Sequence, residues 1–172
     1  MVSLTSITTK THYAMEETVE LTEVEILRGK PMPSRNHSIL EVRISHQIME
    51  KYDAQFDALT ELDLDLLAGP AIPDICIYPK MHFSWEDDDV LKMTVPPITA
   101  IEILSPRQAY EVLASKIRKI YFPSGVQSAW VVMPSVKTIQ LFIPNSPVKY
   151  FNEVLFHDPT TGIQLDLTQI FR

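Results

Sequence analysis

The sequence predicts a mixed α/β fold (α+β), with a central mixed sheet flanked by two main helices. Three observations carry this. Short apolar runs of strand type recur along the chain, and two stretches show helical spacing. Near the C-terminus a strand-turn-strand pattern argues against a purely parallel, doubly wound sheet. The 172 residues suit one domain, 1–172, with a core of its own. Residues 1–15 are weakly patterned and read as a loose N-terminal arm.

Taken in order, Val19 to Leu27 (VELTEVEIL) alternates in part and reads as a strand. A turn follows at Arg28-Gly29-Lys30-Pro31. A helix is expected from about Ser38 to Phe56, because Ile44, Ile48, Tyr52 and Phe56 recur at helical spacing. Ser38 with Glu41 three residues on matches a capping box. From Asp57 to Gly69 the chain is acidic and mixed, with a strand-like LDLDLL. Pro73 to Pro79 (PDICIYP) is a short apolar strand bounded by prolines. Residues 80–97 read as an irregular loop, and Ile98 to Leu104 (ITAIEIL) as a second apolar strand. The second helix is expected from about Arg107 to Phe122, ended by Ser124-Gly125. Gln127 to Met133 and Thr138 to Ile143 suggest a hairpin around Pro134-Ser135. Tyr150 to Phe156 is a further strand, and Leu165 to Phe171 closes with a short helical turn.

Composition excludes several classes. The four glycines, Gly29, Gly69, Gly125 and Gly162, are unclustered, so neither a phosphate-binding loop nor a dinucleotide fingerprint can be built. There is no GxSxG elbow and no HExxH, and the five histidines are scattered. Cys76 is the lone cysteine, fit for a small buried hydrophobe and not for a disulfide or a zinc site. No apolar run is long enough to span a bilayer, and Met1 to Thr11 lack a signal-peptide core, so a cytoplasmic location is expected. The net charge of −7 opposes phosphate binding unless positive charge is gathered locally.

Three residues remain that could carry chemistry. In the strand Ile98 to Leu104, alternate side chains share a face, so Ala100, Glu102 and Leu104 point together. Glu102 is then either an edge residue reaching solvent, or a buried carboxylate that must be neutral, paired or bound to a cation. On the second helix, Val112, Leu113, Lys116 and Ile120 fall within about 60° of Ala109, and Arg118 falls opposite. Lys116 therefore faces the core side, as a snorkelling stem or as the partner of a buried acid. Asp74 opens its strand just after Pro73, where an aspartate is often only a turn residue. Together they place one acid on each of two neighbouring strands and a lysine on the helix that follows. Two carboxylates suit Mg²⁺ or Mn²⁺ better than zinc. A nearby ammonium can orient a water and stabilise developing negative charge.

The order Pro73-Asp74, Glu102-Ile103-Leu104-Ser105-Pro106, Lys116, Tyr121, Gly125-Val126 and Trp130-Val131-Val132 resembles a large bacterial family of restriction-endonuclase type. That family lies within the PD-(D/E)XK nuclease superfamily, and the likeness runs from about Val24 to the C-terminus. The superfamily's usual lysine, two residues after the glutamate, is here Leu104. The resembling family carries its lysine on the following helix instead, and Lys116 matches that place.

The resemblance implies a restriction-endonuclease-like fold and an Mg²⁺- or Mn²⁺-dependent endonuclease that hydrolyses phosphodiester bonds in DNA. Asp74 and Glu102 would hold the ion, with the Ile103 carbonyl as third ligand, and Lys116 would position the attacking water. It also implies an acidic residue on the first helix, for which Glu41 is the candidate, with His37 at the family's histidine position. Arg28, Lys30, Arg35, Arg107 and Lys119 are either phosphate contacts or ordinary surface charge. The acidic run Glu86 to Asp89 reads as a solvated loop. A homodimer is expected, since two cuts need two sites. The alternative expectation is a catalytically inactive nuclease-fold module for binding or assembly.

Overall fold

The computed structural model describes residues 22–28 and 30–172, so the expected arm at 1–15 lies outside the described residues. The chain opens on helix α1 (Glu23–Arg28) and helix α2 (Arg35–Tyr52). Strands β1 (Phe56–Thr60), β2 (Leu64–Leu66), β3 (Gly69–Ala71), β4 (Ile75–Pro79) and β5 (Thr99–Ile103) follow. Helix α3 (Tyr110–Lys116) then runs into a π turn at Ile117–Tyr121 and a 3₁₀ turn at Phe122–Ser124. The C-terminal part holds β6 (Ser128–Met133), β7 (Thr138–Phe142), β8 (Lys149–Phe151), β9 (Leu155–His157), β10 (Gln164–Asp166) and helix α4 (Leu167–Ile170).

Six strands form one sheet in the order β1-β4-β5-β6-β7-β8. The β5–β6 pair is parallel and the other neighbours are antiparallel, so the sheet is mixed as expected. Its two faces are both covered. Leu40, Ile44 and Ile48 of α2 pack with Ile75, Ile77, Ile101 and Ile103 on one face. Leu113 and Ala114 of α3 pack with Cys76, Ala100 and Val131 on the other. The two-residue period of β5 thus sends Ile101 and Ile103 to α2, and Ala100 and Glu102 to α3. Two small hairpins, β2–β3 and β9–β10, sit beside this sheet. Buried Asp158 ties the second one down by accepting hydrogen bonds from Ser128 Oγ at 2.5 Å and Trp130 Nε1 at 2.8 Å. No helix among the described residues is long and apolar enough to cross a membrane.

Four expectations about elements need correction. The supposed strand Val19–Leu27 is helical from Glu23, and residues 19–21 lie outside the description. The cause is a capping box: Thr22 N donates to Glu25 Oε2 at 2.8 Å, and Glu25 N donates to Thr22 Oγ1 at 3.3 Å. Helix α2 begins at Arg35, capped by Ser34, whose Oγ accepts from His37 N at 3.3 Å. Ser38 is therefore an interior residue, and Glu41 is not the closing half of a cap. The helix also stops at Tyr52, and Phe56 opens β1 against Pro79. Tyr150 to Phe156 is split between β8 and β9, which belong to different sheets.

Glu25 fastens the connection between α1 and α2. Its carboxylate also accepts from Met32 N at 2.9 Å and from Arg107 Nη1 at 3.1 Å. The backbone donors at Thr22 and Met32 hold its pKa at about 2. A carboxylate depressed in this way contributes stability above its ordinary pKa and loses it as pH falls towards about 2. Acid melts of the wild type should therefore lose midpoint temperature between pH 4.5 and pH 2 more steeply than melts of Glu25→Gln. Parallel curves would show that Glu25 is not an acid-sensitive clamp.

Candidate active site

The β4–β5 register pairs Ile75 with Ile101 and Cys76 with Ala100. Asp74 lies just before β4, and its N–H donates to Ile101 O at 3.1 Å, which holds the aspartate against the end of β5 that carries Glu102. Both acids are 2% exposed. Ile103 N donates to Asp74 Oδ2 at 2.6 Å, which locks the carboxylate onto the end of β5. Ile103 is thus seen to act through its N–H; its carbonyl belongs to the same strand end.

Two lysines enter from opposite directions. Lys116 Nζ lies 3.0 Å from Glu102 Oε1. Tyr121 Oη donates a hydrogen bond to the same oxygen. Residues five apart point about 140° away from each other on an α-helix. The π turn at Ile117–Tyr121 removes that difference and brings both side chains to Glu102. Lys30 comes in from the connection before α2. Its Nζ is 2.7 Å from Asp74 Oδ1, 2.9 Å from Glu61 Oε1 and 3.3 Å from Ile72 O. Lys30 is only 7% exposed, so it is an internal cation and not the surface phosphate contact that was one of its two expected roles.

Helix α2 closes the site. His37 is buried at its first turn, with Nε2 3.3 Å from Asp74 Oδ1. That distance allows attraction, but the geometry is off the line of a hydrogen bond, and both ring nitrogens lack a hydrogen-bond partner. Glu41 follows one turn later, with Oε2 4.0 Å from His37 Nε2. Glu61 sits at the end of β1 in a left-handed backbone conformation, φ 54°.

The charges respond to one another. Burial alone would raise the Asp74 pKa, but His37 and Lys30 override it and hold it below the usual carboxylate range. Burial lowers the affinity of Lys30 for its proton, and Asp74 and Glu61 more than restore it, so its pKa ends raised. Glu102 behaves oppositely. Burial pushes its pKa up, Asp74 adds to the shift, and Lys116 offsets it only in part. Burial also raises Glu41, with Glu61 and Asp74 contributing. Tyr121 is held firmly protonated by burial and by the Glu102 charge, so it donates.

A hard divalent cation fits this donor set. The chemistry is oxygen-rich, and Glu102 Oε2 accepts no hydrogen bond from the described residues. Burial is what raises the Glu102 pKa, and a bound cation would act in the opposite direction, as Lys116 already does.

Several residues were placed otherwise by sequence. Sequence reasoning missed Glu61, Tyr121 as a partner of Glu102, and the inward aim of Lys30. The Thr22-x-x-Glu25 signature could have found α1, and with it the connection that delivers Lys30. Among the other basic residues, Arg107 pairs with Glu25, and Arg35 and Lys119 are exposed. The Arg28 side chain lies outside the described part.

A six-stranded mixed sheet with acids on two adjacent strands and a lysine on the next helix is the architecture of a restriction-endonuclease-like fold. Residues 11–168 match the family described as "Uma2: Putative restriction endonuclease". The chain belongs to that family, within the PD-(D/E)XK superfamily. Its fold is similar to the crystal structure of a "putative nuclease" from Anabaena variabilis, at 23% identity and a TM-score of 0.72. That alignment covers 82% of this chain and 83% of the other. None of the curated proteins matches the chain.

Proposed function

We propose that the chain is a metal-dependent endonuclease that hydrolyses phosphodiester bonds in DNA. The observation that carries this is the pair of buried acids, Asp74 and Glu102, on adjacent strands with Lys116 on Glu102. Asp74, Glu102 and the Ile103 carbonyl would hold Mg²⁺ or Mn²⁺, and family membership supports a divalent ion and a DNA substrate. A bound ion of this kind supplies Lewis acidity and charge neutralisation at the phosphate. Lys116 holds a proton-rich group beside Glu102, where it can orient a water towards the scissile phosphorus. Tyr121 holds Glu102 through one carboxylate oxygen, which would leave the other for a bound ion. Glu41 adds a carboxylate from the helix side, with a raised pKa that suits proton exchange. A homodimer would supply two such sites for cutting both strands.

The test is nicking of supercoiled plasmid by purified protein. Conversion is expected with Mg²⁺ or Mn²⁺ and not with chelator, and Lys116→Met should slow it on the order of 100-fold. Full activity in Lys116→Met would remove the lysine from the mechanism.

A second reading is a nuclease-fold module without catalysis. It is favoured by the net charge of −7 and by Leu104 at the superfamily's lysine position. The internal pairing of Lys30 and Lys116 deepens the charge problem, since neither is left on the surface to meet phosphate. No nicking by the wild type with either ion would decide for this reading.

A further inference from the structure

We propose that Tyr150, Tyr110 and Arg118 form a base-stacking subsite beside the Asp74–Glu102 pair, so that the substrate is a strand with unpaired bases and not an intact duplex. The proposal rests on the nucleic-acid reading above and names the form of its substrate. Residues paired across a sheet share one face. The registers pair Glu102 with Val131, Val131 with Gln140, and Gln140 with Tyr150. Tyr150 therefore stands in the Glu102 row, on the α3 side of the sheet, three strands away. At the usual strand spacing that is about 14 Å, the length of about four stacked nucleotides. The start of α3 closes over this row, where Tyr110 Oη donates to Gln140 Oε1 at 2.6 Å. Arg118, in the π turn that follows α3, holds its guanidinium 5.9 Å from the centroid of the Phe142 ring, two residues along β7 from Gln140.

Exposure singles out the outer members of the group. Tyr150 is 64% exposed on the edge strand of the sheet, with its apolar ring left in water. Arg118 is exposed as well, and Tyr110 is half-buried. Burial raises the Tyr110 pKa, the Tyr150 phenol adds to the rise and the Arg118 charge opposes it, so both lie within electrostatic reach of Tyr110. An aromatic face beside a cation suits an unpaired base. The ring stacks on the base, and the planar guanidinium meets a phosphate or a second base face. In a duplex the base faces are already covered by their neighbours, and only the groove edges remain. Duplex binding is dominated by phosphate contacts, which a chain of net charge −7, with Lys30 and Lys116 paired internally, is poorly equipped to make. Stacking does not depend on net charge, and so it can anchor a strand here.

The test is fluorescence anisotropy of a labelled DNA oligonucleotide, single-stranded or annealed to its complement, with chelator present so that neither is cut. The wild type should bind the single strand about 10-fold more tightly than the duplex, the effect of one stacked base. Tyr150→Ala should remove that preference, and Tyr150→Phe, which keeps the ring, should retain it. Tyr150 is exposed, so neither change threatens folding. Arg118→Gln should reduce the slope of log affinity against log salt by about 0.7 for the single strand. Equal affinity for the two forms, or an unchanged single-strand preference in Tyr150→Ala, would overturn the proposal. Plasmid nicking separates this result from the activity itself. A wild type that nicks but shows no dependence on Tyr150 keeps the activity and loses the subsite. One that does not nick but binds the single strand through Tyr150 keeps the subsite within the non-catalytic reading. One that neither nicks nor binds either form loses both.

Discussion

Lys30→Met is expected to lower the stability of the fold by about 3–5 kcal/mol at neutral pH. The substitution keeps the length of the side chain and removes only the ammonium. Asp74, 2% exposed, then keeps His37 as its remaining cationic neighbour, and Glu61 loses its contact at 2.9 Å. Removing one partner of a buried pair is costly because the other charge stays desolvated. For a chain of this size the midpoint of thermal unfolding should fall on the order of 10 °C. The loss should shrink in acid. Asp74 has a folded pKa below its ordinary value, so its contribution is present above that value and disappears as pH falls through the folded one. Melts of wild type and Lys30→Met should therefore converge at low pH. A variant as stable as the wild type at pH 7 would show that Lys30 does not neutralise Asp74.

Glu102→Gln should do the opposite: it should remove cleavage while leaving stability unchanged or higher. Glutamine keeps the shape and the hydrogen-bonding reach but cannot carry the charge that holds a divalent ion. The loss of rate should be on the order of 1,000-fold or more, as for removal of a principal electrostatic stabiliser. The stability side follows from the direction of the pKa. Burial raises the Glu102 pKa in the folded state, so ionising it at neutral pH costs folding free energy. A neutral amide avoids that cost, and Lys116, 17% exposed, can turn to water. Function held at the expense of stability is a common property of active sites. Nicking by Glu102→Gln at the wild-type rate would sink this assignment, as would a large loss of stability without loss of activity.

The parts of the site legible in the sequence were those governed by local period. Two-residue alternation grouped Glu102 with Ala100 and Leu104 on one face of β5, and the helical period turned Lys116 inward. Asp74 was different. Nothing local distinguishes it from a turn aspartate, and only the resemblance singled it out. Lys30 and Glu61 were illegible for a physical reason: each reaches the site through a contact distant in sequence, the first across 44 residues. Tyr121 was hidden because α-helical spacing carries it away from Lys116, and the π turn that realigns it has no plain sequence signal. Helix α1 was misread as a strand because Glu-Val-Glu-Ile alternates over a stretch too short to separate the two periods. Strand β1 was absorbed into the end of the preceding helix, since Phe56 continues the apolar spacing of Ile48 and Tyr52. The main sheet survived these errors because its central strands are apolar on both faces and bounded by proline or polar turns.

The proposed activity requires Asp74 and Glu102 to share one divalent ion. Crystals grown with Mn²⁺ and measured for anomalous scattering test it most directly. The prediction is a peak between the two carboxylates, with an oxygen of each in bonding contact with the ion and the Ile103 carbonyl beside it. Carboxylates too far apart to share an ion, or Mn²⁺ held elsewhere while Lys30 and Lys116 keep both acids paired, would contradict it.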